Sequence, residues 1–100
     1  MGVFQVKNNV NGKIFIGVSP NLKNRWLTLK GQLEMGRHAN AGLQQDWNEF
    51  GPAAFTYAVI EQQEADEIAD VKWELKKLKK AWLEKLQPYG ANGYNQPPKE

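Results

Sequence analysis

One hundred residues, 41% of them hydrophobic, suffice for one domain with a modest core and leave little room for a second. The absence of cysteine excludes a disulfide scaffold, an iron–sulfur cluster and a thiol nucleophile, and a single histidine, His38, excludes a multi-histidine metal site within one chain. A net charge of +2 conceals segregation: residues 1–30 carry +5 with no acid, 31–70 carry −7 and 71–100 carry +4. A fold that brings the first and last segments together would therefore present a basic face suited to a polyanion, the alternative being a solvated surface of mixed charge.

Val3 to Lys7 alternates apolar and polar residues and reads as a strand. Asn8 to Gly12 is turn chemistry, and Lys13 to Val18 is a second strand, so the chain opens on a β-hairpin. Ser19-Pro20 fits a helix N-cap followed by proline at the first helical position. Leu22, Trp26, Leu29 and Leu33 then form one helical stripe that Gly36 ends. A shorter helix follows over 40–50, with Leu43, Trp47 and Phe50 on one face and Gly51 as its stop. Phe55 to Glu61 is a third strand, rich in aromatic and β-branched residues.

A long helix is expected over 65–86, with Ile68, Val71, Leu75, Leu78, Trp82 and Leu86 as its apolar stripe. Trp73 points away from that stripe, among Lys76, Lys77 and Lys80, where an aromatic ring could stack a base while lysines hold phosphates, the alternative being that it packs on a neighbouring chain or on the preceding loop. Pro88, Gly90, Asn92 and Gly93 are turn residues. The order β-β-α-α-β-α predicts an α+β domain over 1–96, a small three-stranded antiparallel sheet covered by helices, with 97–100 as a tail. No apolar run could span a membrane. No basic-then-apolar leader is visible, and Val6 stands where a myristoylation signal has Ser or Thr. The expectation is a soluble cytoplasmic protein.

These residues resemble the GIY-YIG nuclease family. The two name motifs read Gly2-Val3-Phe4 and Phe15-Ile16-Gly17, an arginine helix follows at Asn24-Arg25-Trp26, then come Gly36-Arg37-His38, Leu43-Gln44, Trp47-Asn48 and Phe50-Gly51. The end, Trp82-Leu83 and Gly93-Tyr94-Asn95, resembles the family's closing pattern. The likeness covers about residues 2–95 and is strongest to small stand-alone members resembling the N-terminal nuclease domain of the excinuclease. It implies a GIY-YIG-like fold and hydrolysis of a phosphodiester with one divalent metal. In that scheme two motif tyrosines serve the nucleophile, the arginine stabilises phosphate charge, and a glutamate three residues before the matched tryptophan holds the metal.

Three of those four places are changed. Phe4 and Phe15 replace the tyrosines and keep the rings without a hydroxyl, Lys79 replaces the glutamate, and Arg25 remains. Lysine offers no oxygen and repels Mg²⁺. Glu74 lies about 140° round the helix from Lys79 and is no ready substitute. His38 is a candidate base, and Lys7, Lys13, Arg25, Trp73, Lys76, Lys80 and Asn95 are candidate nucleic-acid contacts. The resemblance with these departures implies a degenerate nuclease-like protein that binds nucleic acid or another phosphate ligand with little or no hydrolysis and no cofactor. The alternatives are an active endonuclease with variant residues, using Mg²⁺ or Mn²⁺, and a protein- or nucleotide-binding module on the same scaffold. Oligomeric state and protein partners are open.

Overall fold

A computed structural model describes residues 1–63 and 70–95. Strand β1 (Gly2–Asn8) and strand β2 (Ile14–Ser19) form the hairpin, followed by α1 (Arg25–Glu34), α2 (Ala41–Phe50), β3 (Phe55–Gln62) and α3 (Val71–Leu86). The sheet order is β2-β1-β3, both pairs antiparallel, with a bulge between Val3 and Phe4 against β3. The hairpin turns on local chemistry. The side chains of Asn8 and Asn11 accept from the N–H groups of Val10 and Lys13, and Gly12 takes φ 79°.

The central strand is buried on both faces. Phe4 and Val6 pack with Leu29, Leu33, Leu43 and Trp47 under α1 and α2. Val3 and Ile16 pack with Leu75 and Leu78 under α3. Burying each of these side chains is worth about 1.5–3 kcal/mol. From Val71 to Leu86 the stripe foreseen for α3 is thus the one that meets the sheet, while Ile68 lies outside the described residues. Phe50, expected on the inner face of α2, is instead 38% exposed.

Helix α1 starts later than the sequence suggests. Ser19 Oγ donates to the Asn21 carbonyl and accepts from the Asn21 N–H, and Asn21 Oδ1 accepts from the Lys23 N–H. These bonds hold residues 20–24 in a loop that ends on Asn24 in the left-handed region, φ 61°. Ser19 therefore closes a local turn rather than capping a helix, and Pro20 lies in that loop. Leu22 still joins the α1 core from the loop. Asp70, extended, caps α3 by accepting from the Trp73 N–H. The helix expected over 65–86 therefore begins at Val71, because Asp70 is extended and breaks it; residues 64–69 lie outside the described residues, as do residue 96 and the tail. Among the described residues, no helix is long and apolar enough to cross a membrane.

Candidate functional site

After α3 the chain turns back along the outer edge of β2. Gly93 forms a parallel bridge with Ile14, where a Cβ would collide with the carbonyl oxygens of Pro88 and Ile14, so only glycine fits. The Tyr94 N–H donates to the Ile14 carbonyl, and the Asn95 carboxamide pairs with both backbone groups of Ile16, at 2.8 and 2.9 Å. Tyr94 Oη donates to Asp46 at 2.7 Å and accepts from the buried Asn8 amide at 3.1 Å. Burial, then the hydrogen bond to Asp46, pushes the Tyr94 phenol up to about 12, so it stays a neutral donor.

This strap, β2, the start of α1 and the loop before α2 enclose a cleft of about 820 Å³. Phe15 forms a wall and Phe4, 1% exposed, lies behind it, the two rings 6.4 Å apart. Gly17 lets Phe4 lie against β2, because a Cβ there would strike the ring. Tyr57 extends the aromatic cluster behind Phe15, 5.6 Å from Phe4 and stacked on Trp26 at 5.2 Å.

Arg25 sits on the first turn of α1 with its guanidinium 5.5 Å above the Phe4 ring. Its Nε is buried and meets no hydrogen-bond partner among the described residues, so the ring rather than a helix acid steadies it there. Lys13 lies 5.7 Å over the Tyr94 ring. Arg37 is delivered by the end of α1: the Gly36 N–H bonds to Leu33 and the Arg37 N–H to Gln32, a Schellman closure around Gly36 at φ 70°. His38 stands edge-on to Phe15 at 5.5 Å, and its Nδ1 accepts the Asn40 N–H at 3.0 Å, leaving the ring proton on Nε2. Burial, with the Arg25 charge assisting, holds its pKa below the usual imidazole value.

Lys13, Arg25 and Arg37 line this cleft with His38, and among the described residues no carboxylate lines it. Such a lining suits phosphate oxygens. The divalent metal implied by the family resemblance does not fit it. Its described lining has carboxamide oxygens from Gln32, Asn40 and Asn95 but no carboxylate to anchor Mg²⁺, and three cations that repel it. Among the described residues, no group of three or more His, Asp or Glu converges elsewhere.

The structure gathers Phe15, Arg25, His38, Lys13 and Asn95 at this cleft, with Phe4 behind Phe15. It does not bring Lys79 there. Lys79 lines a separate groove with Val18, Trp73 and Lys76, and Val18 belongs to the α3 side of the sheet. Lys7 lies opposite Ile14, which also packs on that side, and is exposed. Lys80 is exposed and lines neither cavity. Sequence reasoning gave no site role to Arg37 or Tyr57, although Arg37 follows the helix-ending Gly36 and precedes His38.

A cationic cleft at one edge of a helix-flanked three-stranded sheet, with Phe15 in its wall and Phe4 behind, defines a nuclease-type scaffold. The chain belongs to the GIY-YIG family: the family model, GIY-YIG catalytic domain, matches residues 1–95. The chain is similar to Intron-associated endonuclease 1 of Enterobacteria phage T4, 30% identical over 96 residues, covering 94% of this chain and 36% of that protein. It thus spans about a third of that relative's length. The fold matches the catalytic domain of homing endonuclease I-TevI with a TM-score of 0.79 at 25% identity, covering 97% of this chain and 98% of that one. A mutant of the I-TevI catalytic domain gives the same TM-score at 28% identity, covering 94% and 90%.

Proposed function

We propose that this chain binds nucleic acid through its phosphates at the cationic cleft and does not hydrolyse it efficiently. The observation that carries this reading is the cleft lining, in which Lys13, Arg25 and Arg37 meet, with no carboxylate among the described residues, beside two motif rings that have no hydroxyl. Phosphate binding needs cations, and those are in place. A positioned proton carrier is worth about 10²–10⁴-fold in rate, and a metal adds several kcal/mol. Phe4 and Phe15 cannot supply the first, and the described lining offers no carboxylate for the second. The narrower likeness, to small stand-alone members resembling the excinuclease nuclease domain, and a cytoplasmic location belong to the same proposal.

A salt titration tests it. With a labelled duplex, the logarithm of the affinity should fall linearly with the logarithm of salt concentration. Arg25→Ala should weaken binding about tenfold at low salt, the loss of one charge-assisted contact, and flatten the slope by about 0.9. No binding at low salt, or a slope of zero, would sink the nucleic-acid reading.

A second reading has one observation in its favour. His38 is held neutral at the cleft with its Nδ1 engaged, which leaves the Nε2–H as a donor to a phosphate or leaving-group oxygen. On this reading the chain is an endonuclease with variant residues. Cleavage in Mg²⁺ or Mn²⁺ that His38→Gln abolishes would support it.

A further inference from the structure

The cleft is not the only concave basic surface. On the α3 side of the sheet a groove of about 540 Å³ is lined by Val18, Leu75, Trp73, Lys72, Lys76 and Lys79. Trp73 is 59% exposed, whereas Trp47 is 5% exposed in the core. Lys77 Nζ lies 5.3 Å from the Trp73 ring. Four lysines thus surround one exposed indole. Asp70 also lines the groove, and its Oδ1 accepts the Trp73 N–H at the start of α3.

We propose that this groove is a second nucleic-acid site, specific for single strands, with Trp73 as the stacking platform. An exposed indole beside lysines fits a chain that carries both a flat ring and a phosphate in every unit. A duplex keeps its bases stacked and paired, so it offers the lysines its phosphates but gives the indole nothing to stack on. An unpaired base can lie on the indole while Lys72, Lys76 and Lys79 hold the flanking phosphates. The inference rests on the reading that this chain binds nucleic acid, and it adds the strand class and a second surface.

The probes are a thymidine homo-oligonucleotide and a blunt duplex, titrated by anisotropy against the full chain. Trp73→Ala should weaken the oligonucleotide about tenfold, the loss of one base–aromatic stack, and leave the duplex unchanged. Trp73→Phe should retain most of the affinity, because the flat ring remains. Lys76→Ala should reduce the oligonucleotide salt slope by about 0.7. Trp73 is exposed and outside both core clusters, so the variants should melt as the parent does.

Equal oligonucleotide binding by Trp73→Ala and the parent would overturn the proposal. So would a Trp73→Ala effect confined to sedimentation, which would mark the groove as a contact between copies of the chain. Duplex binding that depends on Arg25, with no oligonucleotide binding, would overturn the groove and leave the cleft reading intact. Oligonucleotide binding that depends on Trp73, with no effect of Arg25→Ala on the duplex, would sustain the groove and sink the cleft.

Discussion

Arg25 and His38 show how much a site depends on what surrounds each side chain. Arg25 follows Asn24, whose left-handed backbone starts α1, and its guanidinium is steadied by the Phe4 ring. Phe4 carries no hydroxyl, yet its ring provides the surface on which the arginine rests. His38 carries a consequence for pH. Its folded pKa lies below the unfolded value of 6.5, chiefly through burial. The folded state thus binds a proton less readily than the unfolded chain. The stability this residue contributes is complete above pH 6.5 and is lost as pH falls through the folded pKa. Thermal midpoints measured from about pH 8 to about pH 5 should fall more steeply for the parent than for His38→Gln. Parallel profiles would show that the ring is solvated and unstrained. That His38 was a candidate is legible from the sequence, but its tautomer is not, because the Asn40 N–H that fixes it comes from the turn into α2.

At the scale of elements, the strap over 93–95 completes the cleft. It covers the β2 edge with one backbone bridge and one carboxamide, and it anchors to α2 and the hairpin through Tyr94. Asn40 joins these parts, capping α2 through the Leu43 N–H and donating to the Tyr94 carbonyl. Tyr94→Phe would leave the buried Asn8 amide without its acceptor, at a cost of about 1–3 kcal/mol in urea unfolding. The phenol's folded pKa is raised to about 12 from 10. Its contribution is therefore full below pH 10 and is lost as pH rises toward 12. The alkaline loss of stability should be shallower in Tyr94→Phe, and an unchanged urea midpoint would show that the Asp46–Tyr94–Asn8 link carries nothing.

The six main elements were legible because their apolar periods and turn residues agree with the fold. The start of α1 was not. Ser19-Pro20 satisfies a capping rule, yet the hydroxyl's bonds to Asn21 and the Asn21 side chain's bond to Lys23 hold a loop instead. Two local solutions compete for the same serine, and a stripe that includes Leu22 does not decide between them, since Leu22 reaches the core from either.

On the scale of the whole molecule, the sheet is a partition. Helices α1 and α2 cover one face and α3 the other, and the candidates scattered along the chain sort by face. Chain order alone could not show that Arg25 and Lys79 line different cavities, because that depends on which way alternate residues of β2 point. Phe15 faces the cleft, and Val18 faces the α3 groove. The charge segregation does not map onto the cleft. The acid-free first 30 residues supply Lys13 and Arg25, but Arg37 comes from the acidic middle segment, and lysines of the last segment line the α3 groove instead. The proposed nuclease scaffold that holds phosphate and spares the bond is tested most directly by incubating the full chain with labelled single-stranded, duplex and branched DNA in Mg²⁺ or Mn²⁺ and running native and denaturing gels in parallel. A shifted band that stays intact on the denaturing gel is the predicted result. Cleavage products that vanish with Arg25→Ala would contradict it.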